Sequence, residues 1–249
     1  MASVPGGGNK QGGTFEFLEG FRTMTAAKKY WDDYYQASPF KSGKEPSPFL
    51  VTMLPRMQKG RALDIGMGEG RNAVYCAMKG FAVKGLDISN HAVEHAQQLA
   101  RDSGVTIEAQ QGDLDLYIMG IMEYDSILMT NFKPSLTRYY TEIIRALKQG
   151  GTLLIESCTT DEMTELISLE ESYRNWYFTA NEVLTQIRGL RVLFYHEGIV
   201  DGRHLVQCLA KKPMDKDAAK YGLFDMHSKG KDTGQSVHKQ LAEAFFKKP

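Results

Sequence analysis

The segment Ala62-Leu63-Asp64-Ile65-Gly66-Met67-Gly68-Glu69-Gly70-Arg71-Asn72 constrains this chain more than any other. A short apolar strand runs into a turn with glycine at alternate positions, and a helix start follows. That order belongs to a parallel α/β sheet. The glycines allow a tight turn and let a ligand lie against bare main chain, while the helix presents unpaired N–H groups. A second acidic strand end, Val83-Lys84-Gly85-Leu86-Asp87-Ile88-Ser89, follows at about the spacing of a carboxylate that grips a ribose. Together the two pieces predict a cofactor-binding enzyme.

The turn alone leaves the cofactor open. Gly68-Glu69-Gly70-Arg71-Asn72-Ala73 fits the dinucleotide pattern, and Asp87 stands where an NAD ribose ligand would. Asp64, two residues before Gly66, tips the choice. A carboxylate at the mouth of the first strand suits a cofactor with an amino acid end and a sulfonium cation, and it would repel a pyrophosphate. Gln111-Gly112-Asp113-Leu114 and Leu147-Lys148-Gln149-Gly150-Gly151 agree with that choice. The expected cofactor is S-adenosylmethionine.

Composition bounds the remainder. A chain of 249 residues suits one α/β domain with trimmings. Lys plus Arg and Asp plus Glu both number 30, so no global field draws in nucleic acid or an anionic membrane. Cys76, Cys158 and Cys208 are far apart and fit neither a disulfide framework nor a zinc knuckle, which predicts a reducing, cytoplasmic setting. No run approaches the roughly 18 apolar residues of a membrane span, and the start does not read as a signal peptide.

Along the chain, residues 1–24 are expected to be a flexible Gly-rich tail. Residues 25–57 are expected to form a helical lid, with aromatics from Tyr30 to Tyr35 sharing a face. Strands are expected at Ala62–Ile65, Ala82–Asp87, Thr106–Ala109, Ser126–Thr130 and Thr152–Glu156. Helices are expected at Asn72–Met78, His91–Arg101 and Ser135–Leu147. Leu190–Tyr195 and His204–Ala210 read as a closing antiparallel hairpin. The fold class is therefore α/β: a Rossmann-like, seven-stranded, mostly parallel sheet with helices on both faces, over a domain at 25–213. Residues 214–249 form an extension whose Val237, Leu241 and Phe245 suggest an amphipathic helix.

These residues carry a family resemblance. The chain from about Tyr30 to Pro213 resembles the class I S-adenosylmethionine-dependent methyltransferases, and most closely the bacterial tellurite-resistance methyltransferase group. The likeness rests on Trp31-Asp32-Asp33-Tyr34-Tyr35, Leu63 to Asn72, Leu86-Asp87-Ile88-Ser89, Arg145 to Gly151 and the end from Gly202 to Pro213. The resemblance implies that Asp64 and Gly66 hold the methionine end, that Gly68 and Gly70 shape the turn, that Asp87 takes the ribose hydroxyls, and that Arg71, Asn72, Ile88 and Ser89 belong to the cofactor-binding set. It places Asp113 and Leu114 at adenine, and Asn131 and Phe132 beside the transferring methyl. Trp31 and Tyr35 are expected to close over the cofactor. Arg203 or His204 on the hairpin is the candidate acceptor-binding or catalytic group.

The chain departs from this pattern at three places. Met67 stands where similar proteins have Cys, Gln149 where they have Pro, and Thr159-Thr160-Asp161-Glu162-Met163-Thr164-Glu165 where a glycine-rich substrate loop is expected. A small-molecule acceptor, such as a thiol or a metalloid oxyanion, is the expected substrate. A cofactor-binding regulatory protein without chemistry is the rival, and a homodimer is compatible with either. No nucleic-acid partner is expected. His91-Ala92-Val93-Glu94-His95 matches an H-x-x-E-H zinc pattern, but it falls on a surface crossover helix with no evident third ligand, so no metal is expected.

Overall fold

The computed structural model describes residues 27–114, 116–161 and 176–214, which, Met214 aside, belong to the unit that ends at Pro213. The expected N-terminal tail, the positions after Asp161 where a substrate loop was expected and the expected helix around Leu241 lie outside the described residues.

A first helix, α1, covers residues 27–37. Helix α2 (Pro48–Met53) follows, with Ser47 as N-cap and proline at its first position, where no N–H is needed. Then come β1 (Arg61–Ile65), α3 (Arg71–Met78), β2 (Ala82–Asp87), α4 (Asn90–Asp102), β3 (Glu108–Gln111), β4 (Tyr124–Thr130), α5 (Arg138–Ala146), β5 (Leu147–Cys158), α6 (Glu182–Gln186), β6 (Arg191–Val200) and β7 (Arg203–Lys211). The seven strands form one sheet in the order β3-β2-β1-β4-β5-β7-β6. Pairing is parallel from β3 through β5 and antiparallel at β5–β7 and β6–β7. This is the predicted fold class.

Strand alternation divides the core between the two faces of the sheet. Ile127, Met129, Leu153, Ile155, Val206 and Cys208 join Tyr139 and Ile143 of α5 on one face. Leu128, Leu154 and Leu209 join Phe49, Leu50 and Met53 of α2 and Ala73 and Cys76 of α3 on the other. Asp64 follows the alternation of Ala62, so it points into the face that carries α2 and α3.

Some element boundaries differ from expectation. Strand β3 sits two residues later than predicted, because Ile107 packs against the helix-side core while Glu108 pairs with Lys84 at 2.8 Å on the sheet edge. Helix α5 begins at Arg138, and Leu147 already belongs to β5. The Lys148–Gly151 run bulges out of the sheet there, with Gly150 at φ +76°, its N–H bonded to Lys212 O at 2.9 Å. The hairpin strand β6 runs on to Val200 and turns through Asp201 and Gly202, both at positive φ, as a two-residue hairpin turn requires.

Candidate active site

The β1–α3 turn lies at the carboxyl end of the parallel strands, where sheets of this kind bind ligands. Gly66, Gly68 and Gly70 all take left-handed φ, at +66°, +54° and +81°. Each also has a close neighbour. A Cβ at Gly66 would come within 2.7 Å of the Phe132 ring, one at Gly68 within 2.8 Å of the Tyr35 hydroxyl, and one at Gly70 within 2.7 Å of Ala96 Cβ on α4. The turn is stapled to β2 by the N–H groups of Gly66 and Met67, which donate to Leu86 O at 2.8 and 3.0 Å. Met67 replaces the expected Cys by lying directly over Gly85, where a Cβ would meet its sulfur.

Two buried carboxylates flank this turn, and they differ in their partners. Asp87 accepts from Gly68 N at 2.8 Å and from Ser89 N at 2.9 Å. Asp64 is 0% exposed, and neither of its oxygens has a hydrogen-bond partner among the described residues. Burial raises Asp64 to about 7, reinforced by the Asp87 charge and opposed by Arg71 and the Ala73 N–H. Burial likewise raises Asp87, to about 6, against the N–H groups of Ser89 and Gly68.

Helix α1 crosses this mouth and is tied to it. Asp32 accepts from Ser89 Oγ at 2.8 Å and Asn90 N at 3.0 Å, at the start of α4, and pairs with Lys28 on its own helix. Trp31 and Tyr35 stack on one another, with centroids 5.9 Å apart, and burial with the nearby Asp87 charge pushes the Tyr35 hydroxyl well above its ordinary range. Trp176, which lies between β5 and α6 in sequence, meets Trp31 and Tyr30 at 5.3 Å each. The chain beside Trp176 is held by Lys133, which bonds Tyr177 O at 2.9 Å and Glu182 at 2.8 Å.

Residues 62–151 match the family model described as a methyltransferase domain. The likeness is to methyltransferase domains. The Ribosomal protein L11 methyltransferase of Dictyoglomus thermophilum is 28% identical over 138 residues, which is 53% of this chain and 45% of that protein. The chain thus spans about half the length of that curated relative. Among solved structures, an S-adenosylmethionine-dependent methyltransferase of Methanosarcina mazei superposes at a TM-score of 0.56 and 19% identity, over 69% of this chain and 100% of the other. TehB from Haemophilus influenzae does so at 0.57 and 20%, over 73% and 67%. At these identities the structural likeness speaks for the fold.

The methyltransferase domain implies S-adenosylmethionine as its cofactor, and the turn fits that molecule. An orphaned, fully buried carboxylate is costly unless something cationic meets it, and the cofactor carries an ammonium. The left-handed glycines leave no side chain between backbone and ligand. Asp87 lies at the end of β2, with Gly112 N bonded to its carbonyl at 2.8 Å and Gln111 reaching Ile88 O at 3.1 Å, so the Asp113-Leu114 turn is brought beside it.

The structure places the other expected residues less uniformly. The Arg71 guanidinium bonds the carbonyls of Ser42 and Glu45, so it holds the loop before α2. Asn72 is buried; it accepts from Ser47 N at 2.9 Å and donates to Thr130 Oγ1 at 2.8 Å. Its side chain is therefore engaged in the scaffold beside the turn. Ser89 caps α4. Asn131 ends β4 at φ +51°, with its N–H on Glu156 O at 2.7 Å, and this turn swings Phe132 over Gly66. Arg203 and His204 begin β7, whose antiparallel course brings them to the carboxyl end of β5. There Arg203 meets Cys158 Sγ at 2.7 Å, and His204 O accepts from Thr159 N at 3.0 Å.

The zinc-like His91 and His95 do not converge. His95 meets Glu69 at 2.8 Å, His91 lies 3.8 Å from Glu94, and among the described residues no cluster could hold a metal ion.

Sequence reading missed Trp176 and the buried chain in which Ser47 and Gln207 both hydrogen-bond Glu156. An acidic residue directly after the apolar run Leu153-Leu154-Ile155 was the available signal for the latter. Nothing local to Trp176 announces its contact with a helix far earlier in the chain.

Proposed function

We propose that this protein transfers the methyl group of S-adenosylmethionine to a small-molecule nucleophile, a thiol or a metalloid oxyanion. The observation that carries the reading is Asp64: a buried, partnerless carboxylate beside a turn of three left-handed glycines. In this reading Asp64 with Gly66 holds the methionine end, Asp87 takes the ribose hydroxyls, and Asp113 with Leu114 faces adenine. Phe132 and Asn131 line the path of the methyl group.

When bound, the cofactor supplies an electrophilic methyl on a sulfonium. Displacement from sulfur disperses positive charge, so alignment and exclusion of water provide much of the acceleration. Trp31, Tyr35 and Trp176 supply that exclusion from two sides. A base is required only for an acceptor that arrives protonated, and in this reading His204 takes that proton. Arg203, on the opposite pleat of the strand, is the alternative group for an anionic acceptor. The small acceptor is supported by the aromatic cover over the turn, and the metalloid subclass by the resemblance to the tellurite-resistance group and the fold shared with TehB. The likeness to a ribosomal-protein methyltransferase makes a protein acceptor the competing outcome. We further assign the protein to the cytoplasm; among the described residues no helix is long and apolar enough to cross a membrane.

The test is S-adenosylhomocysteine formation across a panel of thiols, tellurite, selenite and ribosomal protein. Turnover with a small acceptor supports the reading. Tight cofactor binding with no turnover on any acceptor points to the regulatory alternative suggested by the altered segment after Cys158.

A further inference from the structure

Asp64 and Asp87 end neighbouring strands, both buried, and two nearby carboxylates in one low-dielectric site do not both ionise cheaply. Their surroundings decide which keeps the charge. Asp87 accepts well-formed hydrogen bonds from the N–H groups of Gly68 and Ser89; Asp64 is shut off from solvent and makes no hydrogen bond of normal geometry, with only the Ala73 N–H of α3 drawing on its charge.

The groups facing Asp64 reinforce the difference. On β2, Asp87 repels its ionised form. On α3, Arg71 attracts it but is engaged with the Ser42 and Glu45 carbonyls, and Cys76 is a thiol whose own ionisation is suppressed by burial and by Asp64. On β4 the register partner is the apolar Leu128. From α1, Asp32 adds negative charge near Asp87, and Tyr35 contributes a neutral hydroxyl.

We propose that Asp64 carries a proton before the cofactor binds and releases it to solvent as the cofactor's ammonium arrives, so that cofactor uptake is coupled to proton release. The carboxylic O–H bond breaks, its proton passes to the buffer, and the ammonium keeps its three protons and donates to the new carboxylate. A neutral acid is thereby exchanged for an ion pair, and the site never holds two unpaired anions. The inference rests on the S-adenosylmethionine reading. The position of Asp64 near 7 places the exchange at physiological pH.

The experiment is calorimetry on the full chain with S-adenosylhomocysteine, which keeps the ammonium and lacks the sulfonium, in buffers of differing ionisation enthalpy. At pH 6.5 the expected result is release of roughly three-quarters of a proton per ligand, with affinity roughly tenfold tighter at pH 8 than at pH 6. Methylthioadenosine, which has the nucleoside but no amino acid end, should bind with little release. Asp64→Asn should bind S-adenosylhomocysteine without buffer dependence.

Buffer-independent binding to the unaltered chain overturns the coupling while leaving the cofactor reading intact. Equal release with methylthioadenosine moves the proton to Asp87 and also overturns it. Failure of both ligands to bind removes the cofactor reading, and this inference with it. The two-ligand comparison needs no variant, so it stands even if Asp64→Asn does not fold.

Discussion

Asp32 on α1 accepts a 2.8 Å hydrogen bond from Ser89 Oγ, so the helix that covers the cofactor turn is anchored to the residue that caps α4. One carboxylate thereby joins the cover to the floor. Burial would raise Asp32, but hydrogen bonds from Lys28, Ser89 and Asn90 hold it below its ordinary 3.8.

Asp32→Ala should loosen α1 rather than unfold the domain. The expected cost is about 1 kcal/mol, typical of a lost cap, with faster amide exchange over residues 27–37 and weaker cofactor binding. Because its folded value lies below the unfolded one, the anchor is complete above pH 3.8 and is lost only on further acidification. Unchanged exchange in α1 would show that Asp32 is not the anchor.

Gly85→Ala should be repaired by a change at Met67. The added methyl collides with the Met67 sulfur, and overpacking of this kind costs roughly 1–3 kcal/mol. Met67→Cys, the residue expected there in similar proteins, removes the collision. The pair should be markedly non-additive in urea melts. Simple additivity would mean that the clash is relieved elsewhere.

Gly70→Ala has no such remedy. Its left-handed φ of +81° and the backbone and Cβ of Ala96 both oppose a side chain, so a loss of about 2 kcal/mol or more is expected, with the α3–α4 packing disturbed. A fully stable Gly70→Ala would contradict the packing described here.

Asp64→Asn should stabilise the ligand-free protein at high pH. The folded carboxyl is raised to about 7, so the native chain binds the extra proton between pH 3.8 and about 7, and its stability falls as pH rises through that window. At pH 8 the variant should gain about 2 kcal/mol. That is less than the full linkage of roughly 4 kcal/mol, because the new amide is also unpartnered. The gain should vanish toward pH 4, as thermal melts across pH can show.

Lys133→Met should cost about 1.5 kcal/mol by removing the ammonium from Glu182, which keeps its hydrogen bonds from Thr179 N and Oγ1. Adding Glu182→Gln should recover part of that loss. No recovery would place the role of Lys133 in its bond to the Tyr177 carbonyl.

Strands β1 and β4 were legible because burial on both faces writes near-continuous apolar runs into parallel strands. The glycine turn was legible because left-handed φ restricts residue choice. Strand β3 was shifted because an edge strand has no such run: its sequence is Glu-Ala-Gln-Gln. Arg71 and Asn72 show the limit of pattern reading at the site. Adjacency to the turn suggested cofactor contact, but not that their side chains also reach Ser42, Ser47 and Thr130, partners that only the folded chain brings near. The Lys133–Glu182 pair and the neighbours of Trp176 are likewise long-range.

Trp31 and Trp176 are the chain's two tryptophans, and their indoles lie 5.3 Å apart at 31°. Indoles at that separation couple their strong electronic transitions, giving a far-ultraviolet circular-dichroism couplet that disappears when they part. The molecule thus carries its own optical gauge. Because one indole rides on α1 and the other lies between β5 and α6 in sequence, stopped-flow spectroscopy of the unlabelled protein with ligand would reveal any parting of the two segments.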